Sequence, residues 1–212
     1  MQTTASFWNK RAESYAKSPI ADLSAYEYTL ERSRSYLRDS DHVLELGCGT
    51  GSTALLLAPS VRKITASDYA DGMTAIGARK AREQGVDNVE FVTADLHSPA
   101  LDGRGYDVVM AMNLLHLVKD LPAALARIND LLKPGDIFIS KTICMGPDKV
   151  PVKFKVIKAI LPVMQLFGIA PPVEFRTIRA FEGAITAHGF KIIETGNYPA
   201  NPPSRFVVAR KL

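Results

Sequence analysis

The chain predicts an alternating α/β fold: an open, mostly parallel sheet with helices on both faces and an antiparallel last strand. Three observations carry that expectation. Strand-like apolar runs alternate with helical stretches between residues 43 and 140, the order of βαβ units. The first run, Val43, Leu44 and Leu46, is almost wholly apolar, as in a strand covered on both faces. It ends in a turn, Gly47-Cys48-Gly49-Thr50-Gly51, that leads into the helical Ser52 to Ala58; in open parallel sheets such turns hold ligands at the carboxyl edge.

Residues 1–40 read as helical and precede the sheet, with Phe7, Trp8, Tyr15, Tyr26 and Tyr28 set among Arg11, Lys17, Arg32 and Arg34. They form either a cap over a ligand or an edge fastened by aromatic anchors. After the glycine turn, Val61 to Ser67 is a second strand ending at Asp68. A helix follows, with Asp71 as its N-cap and Gly85 closing it. Val89 to Ala94 is a third strand ending at Asp95, and Tyr106 to Met112 is a fourth. Leu121 to Leu132 is a helix, with Pro122 tolerated in its first turn and Pro134-Gly135 as its stop. A fifth strand begins at Asp136, and residues 143–176 then break the alternation. Phe181 to His188 is the last helix, stopped by Gly189. Phe190 to Thr195 and Arg205 to Ala209 flank the turn-rich Gly196 to Ser204, which suits an antiparallel pair.

A length of 212 residues fits one domain over 1–212 and suffices to bury a full core. No run of about 18 uncharged apolar residues is present, so no transmembrane helix is expected. The start has no apolar signal core, which makes the cytoplasm the expected location. A net charge of +4 permits an anionic partner without requiring one, and no nucleic-acid partner is expected. Cys48 and Cys144 read as small packing residues. His42, His97, His116 and His188 show no metal-ligand spacing, and no metal is expected.

Glycine spacing separates two ligands. A dinucleotide fingerprint needs a third glycine where the chain has Ser52; here the pattern is Gly47-x-Gly49-x-Gly51 with Glu45 two residues ahead. Glu45, Asp68 and Asp95 fall at three successive strand ends, hence at one edge of the sheet. Asp68 lies 21 residues after Gly47, near the spacing at which an acid reaches ribose hydroxyls. A lone aspartate of this kind is as readily a helix cap or a solvated carboxylate; three in register are not.

Together these residues resemble motif I and the later acids of the class I S-adenosylmethionine-dependent methyltransferases. The opening Phe7-Trp8-x-x-x-Ala12-x-x-Tyr15 is similar to that of the small-molecule, quinone-biosynthesis-like subgroup. The resemblance implies a Rossmann-like seven-stranded sheet, S-adenosyl-L-methionine as cofactor and S-adenosyl-L-homocysteine as product. It also implies roles. Asp95 accepts from the adenine N6 amine and Leu96 offers its N–H to the ring, while Glu45 helps hold the methionine portion. The turn Gly47, Cys48, Gly49, Thr50 and Gly51 admits the methionine carboxylate, and backbone near Met112 and Asn113 receives the amino group. Tyr15 closes over the cofactor. Tyr69 and Met73 line the adenine pocket, although Met73 suits the core equally well. One departure is Asp136, where the family commonly has a second glycine after Pro134-Gly135; it is a turn position far from the cofactor.

Methyl transfer from a sulfonium is an in-line displacement, so the protein's main task is alignment in a dry pocket. His116 is the best candidate for a general base, against a structural role for the same ring. Asn201-Pro202-Pro203-Ser204 lies in the final turn, away from the end of the fourth strand where enzymes that methylate base amines or glutamine amides carry such a motif. It reads as turn chemistry. The apolar stretch 152–167, with a kink expected at Pro162, falls within the 143–176 insertion. It reads as a lid over an apolar substrate, a homodimer contact, part of the core or a peripheral membrane contact. The expected activity is methylation of a small apolar or aromatic molecule. The rivals are a phospholipid or amphiphile N-methyltransferase at a membrane surface and a binding protein that holds S-adenosylmethionine without chemistry.

Overall fold

The computed structural model describes residues 4–145, 160, 161, 164, 165 and 170–212. Its strands are β1 (His42–Leu46), β2 (Lys63–Asp68), β3 (Val89–Thr93), β4 (Val108–Met112), β5 (Ile137–Ile143), β6 (Phe190–Asn197) and β7 (Ser204–Lys211). They form one seven-stranded sheet in the order β3-β2-β1-β4-β5-β7-β6. β1 to β5 pair in parallel, and β7 runs antiparallel to both β5 and β6. The order reverses between β1 and β4, which opens a crevice at their carboxyl ends.

The helices are α1 (Thr4–Lys17), α2 (Leu23–Arg34), α3 (Ser52–Leu57), α4 (Asp71–Gln84), α5 (Leu121–Leu131) and α6 (Ile178–Ala187). All five residues of β1 are buried, so its two faces feed two cores. Leu44 and Leu46 pack with Leu125 and Ile128 of α5 and Phe181 and Ile185 of α6. Val43 packs on the opposite face with Leu30 of α2 and Ala54 and Leu57 of α3. Glu45, carried on the same strand, is therefore drawn into the interior by its neighbours.

Several boundaries differ from expectation by a few residues, and hydrogen bonds mark three of them. Asp71 is the first residue of α4 rather than its N-cap; the cap position is Ala70, whose side chain cannot bond. Asn9 of α1 replaces it: its Oδ1 accepts from Gly72 N at 2.9 Å and its Nδ2 donates to the Asp71 carboxylate. One side chain thus satisfies a free amide of α4 and fixes α1 across it. β3 ends at Thr93, and Ala94 N makes the last bond of its ladder to Asp68 O at 2.9 Å, leaving Asp95 in the following loop. The last helix starts early, at Ile178, where Thr177 Oγ1 accepts from Ala180 N at 3.2 Å.

α2 is fastened to the far half of the sheet by Arg32 on Glu194 and by the buried Lys141, which donates to Thr29 Oγ1 at 3.2 Å. Apart from residues 160, 161, 164 and 165, the 152–167 stretch and its expected kink at Pro162 lie outside the described residues. Among the described residues, no helix is long and apolar enough to cross a membrane, and no group of three His, Cys, Asp or Glu side chains could hold a metal.

Candidate functional site

The crevice is built first from backbone. Gly47, Gly49 and Gly51 have φ of 64°, 54° and 73°, a region that side chains rarely adopt. Their reasons for being glycine differ. A Cβ on Gly47 would stand 2.7 Å from Leu114 Cδ1, and one on Gly51 would stand 2.4 Å from the Phe91 ring. Only Gly49 faces a gap, where a Cβ would meet Tyr15 Cε1 at 3.6 Å and fill the slot between the turn and α1.

Asp68 organises this turn. Its Oδ2 accepts from Gly49 N at 3.0 Å and its Oδ1 from Ala70 N at 2.9 Å. Each oxygen keeps a lone pair for a ligand hydroxyl. Burial raises its pKa in spite of these bonds. Glu45 contrasts sharply. It is 4% exposed, and its Oε2 has no hydrogen-bond partner among the described residues. Burial, reinforced by the Asp68 charge and opposed by the Ala54 amide, pushes its pKa to about 8.

Two chambers meet at Asp68. The first, about 360 Å³, is lined by Glu45, Gly47, Cys48, Gly49, Thr50, Met112 and Asn113, with Tyr15 and Tyr26 above. The second, about 310 Å³, is lined by Asp95, Leu96, Ala94, Val118, Pro171 and Pro172. Trp8, Gly47, Asp68, Tyr69, Leu114 and Leu117 line both. Met73 reaches the first chamber while remaining 2% exposed in a small core with Ala12 and Ile76. Burial and the charges of Asp68 and Glu45 raise the Tyr15 phenol pKa, which keeps it a neutral donor. Asp95 is exposed, with Oδ1 accepting from His97 N at 2.8 Å.

Gly51 and His116 line neither chamber. Gly51 is spoken for by Phe91. His116 is buried in the turn after β4; burial, and then the Arg176 charge, lower its pKa to about 4. It is neutral at pH 7 and a weak base. A groove of about 510 Å³ along α6 and β6 is larger than either chamber. Its one carboxylate, Glu182, already pairs with Arg205, so the groove offers no comparable chemistry.

Residues 43–135 match the family model described as a methyltransferase domain. Demethylmenaquinone methyltransferase of Clavibacter sepedonicus is 35% identical over 95 residues, covering 45% of this chain and 38% of that one. Malonyl-[acyl-carrier protein] O-methyltransferase of Serratia marcescens is 24% identical over 145 residues, 68% of this chain and 54% of the relative. The solved DhpI–SAH complex superposes with a TM-score of 0.73 at 23% identity, over 98% of this chain and 95% of that one. The chain shares the fold of that solved complex and carries a methyltransferase domain over residues 43–135. It spans between 3% and 54% of the length of the curated relatives it matches.

The residues present fit this family's methyl donor. S-adenosylmethionine carries two cationic groups, the ammonium and the sulfonium, and Glu45 is a buried acid whose Oε2 has no partner among the described residues. The slot above Gly49 admits a carboxylate to bare backbone. Two chambers that share an acid have room for a nucleoside. Sequence reasoning passed over several lining residues of this methyltransferase site. Trp8 belongs to the opening aromatic pattern, which gives it no role, yet it lines both chambers. Ser18, Pro19, Ile20 and Ala21 between α1 and α2 carried no motif at all. Pro171 and Pro172 sat in the irregular stretch, and their Pro-Pro punctuation was the one available signal.

Proposed function

We propose that the chain transfers the methyl group of S-adenosyl-L-methionine to a small molecule with an apolar or aromatic face. One observation carries this reading: Glu45, with its Oε2 unpartnered among the described residues, lines a chamber that shares Asp68 and Tyr69 with the chamber of Asp95. A buried acid of this kind suits a ligand that brings positive charge and seats its nucleoside next door. When bound, the cofactor supplies an electrophilic methyl carbon; its bond to the acceptor forms as the bond to sulfur breaks, and S-adenosyl-L-homocysteine departs.

The chain's own residues bind and align. The amides of the glycine turn take the carboxylate, and Asp68 takes the ribose hydroxyls. Asp95 and Leu96 take the edge of the base. Tyr15, Ile20, Ala21 and Tyr26 give the first chamber a largely apolar wall, which excludes water and favours a flat or greasy acceptor. Relatives named for demethylmenaquinone and for malonyl-acyl-carrier protein support methylation of non-macromolecular groups. His116 takes no proton in this reading, since it lines neither chamber; the acceptor arrives ionised or loses its proton to solvent.

Calorimetric titration with S-adenosylmethionine, followed by incubation with a fractionated metabolite extract, tests the proposal. Saturable binding and a component that gains about fourteen mass units, one CH₂, are expected. Tight binding with no methylated component would leave a binding protein instead.

A further inference from the structure

The segment after residue 169 crosses the fold before entering α6, and its contacts are specific. Arg176 Nη1 donates to Leu115 O at 3.1 Å, and Nη2 donates to Val118 O at 2.7 Å and Lys119 O at 3.0 Å. Two residues earlier, Glu174 N donates to His116 O at 2.7 Å. All four carbonyls belong to the turn that follows β4; within its short 3-10 helix, Leu115–Leu117, Leu115 O also accepts from Val118 N at 3.3 Å. The turn starts from a strained position, Asn113 with φ of 57°, and supplies Leu114, Leu117 and Val118 to the second chamber. On the other side of the same segment, Met145 N donates to Arg176 O at 2.8 Å, and Met145 bridges Thr177 in parallel. Arg176 is therefore the knot at which the strap 170–177, the end of β5 and the wall of the second chamber are tied together.

The start of the strap reaches that chamber, where Gln165 Nε2 donates to Pro171 O at 3.1 Å and Ala170 N to Met164 O at 3.4 Å. Pro171 and Pro172 line it with Asp95 and Leu96. Proline has no N–H, so two prolines close a wall around a base without competing for the Asp95 carboxylate. We propose that Arg176 is a positioning residue that holds Pro171 and Pro172 as the wall of the base chamber, and that this wall sets the size limit at the base's amine edge. The inference rests on the reading that the second chamber receives the adenine. A guanidinium fork is needed because three carbonyls lie around one centre; a lysine ammonium is a point donor and cannot span them in one plane. The strap also connects the cofactor's chamber to the 146–169 segment, so loosening it acts on cofactor binding before it acts on chemistry.

The test uses S-adenosylhomocysteine and the same molecule with a benzyl group on N6, titrated calorimetrically. Wild-type protein binds the benzyl compound at least about 100-fold more weakly, and Pro171→Gly/Pro172→Gly narrows the gap to within about tenfold. Arg176→Met weakens binding of unmodified S-adenosylhomocysteine about tenfold and raises KM for S-adenosylmethionine by a similar factor with kcat within about twofold; Arg176→Lys recovers only part of the loss. The proline variant deletes no hydrogen bond, so it keeps the test open if Arg176→Met fails to fold. Equal binding of both compounds by the wild type, or an unaltered gap in the proline variant, overturns the proposal while leaving the cofactor assignment standing. Failure of the wild type to bind either compound overturns the assignment beneath it.

Discussion

The two chambers make an instructive pair. The first joins the stretch Glu45 to Thr53 to residues that α1, α2 and the link between them lay over it, with the ends of β2 and β4 and Met73 of α4 completing it. The second is assembled from the ends of β1 and β2, the loop after β3, the turn after β4 and a strap more than 50 residues further on. The acids follow the same division. Glu45 is buried with its Oε2 unpartnered among the described residues, Asp68 is buried with two backbone donors, and Asp95 is exposed at the rim. Burial concentrates binding energy where a charge is missing, and exposure leaves the rim for orientation.

That ranking predicts unequal responses. Asp68→Ala has the largest effect, because it removes the ribose acceptor and strands the amides of Gly49 and Ala70. Cofactor-induced thermal stabilisation disappears, and the ligand-free protein itself loses about 1–3 kcal/mol. Thermal scans with and without S-adenosylmethionine measure both; normal stabilisation in the variant would remove the ribose role.

Glu45 comes next, through pH. In the ligand-free fold its pKa is held up at about 8, whereas in the unfolded chain it is about 4.3. Between those values the folded state holds the extra proton. The contribution is therefore complete below the unfolded value and is lost as pH rises through about 8, on the order of a few kcal/mol. Glu45→Gln, which mimics the protonated acid, should flatten the fall in stability between about pH 5 and 9. An identical slope in both proteins would mean that Glu45 is ionised in the empty fold.

Much of the first chamber was legible because its signals are local. Three glycines at spacing two announced positive φ, and Asp68 stood at a strand end with the right offset from them. The misreadings share a different cause. Asp71 looked like the cap of α4 because sequence cannot show that Asn9, 63 residues away from Gly72, takes the role. Gly51 was assigned to the ligand, but the atom its missing Cβ makes room for is on Phe91 of another strand. His116 sat at a suggestive position whose burial under Arg176 is a tertiary fact. The strap was opaque altogether, since nothing local in residues 170–177 states which carbonyls they will meet.

The smaller predictions probe these long-range ties. Asn9→Ala should cost about 1 kcal/mol, as the loss of a helix cap does, and should weaken cofactor binding by loosening α1. Chemical denaturation paired with titration checks it; unchanged values in both would separate α1 from the site. His116→Asn should leave kcat within about threefold and the pH–rate profile unmoved. Loss of an acidic limb near pH 4–7 would restore the histidine as a base.

The central claim is that one nucleoside and its amino-acid tail occupy both chambers around Asp68. A crystal structure of the protein with S-adenosylhomocysteine tests it most directly. The expected density places the base against Asp95 and Leu96, the ribose on Asp68 and the amino-acid end between Glu45 and the Gly47–Gly49 turn. Density confined to one chamber, or lying in the groove along α6 and β6, would contradict the account.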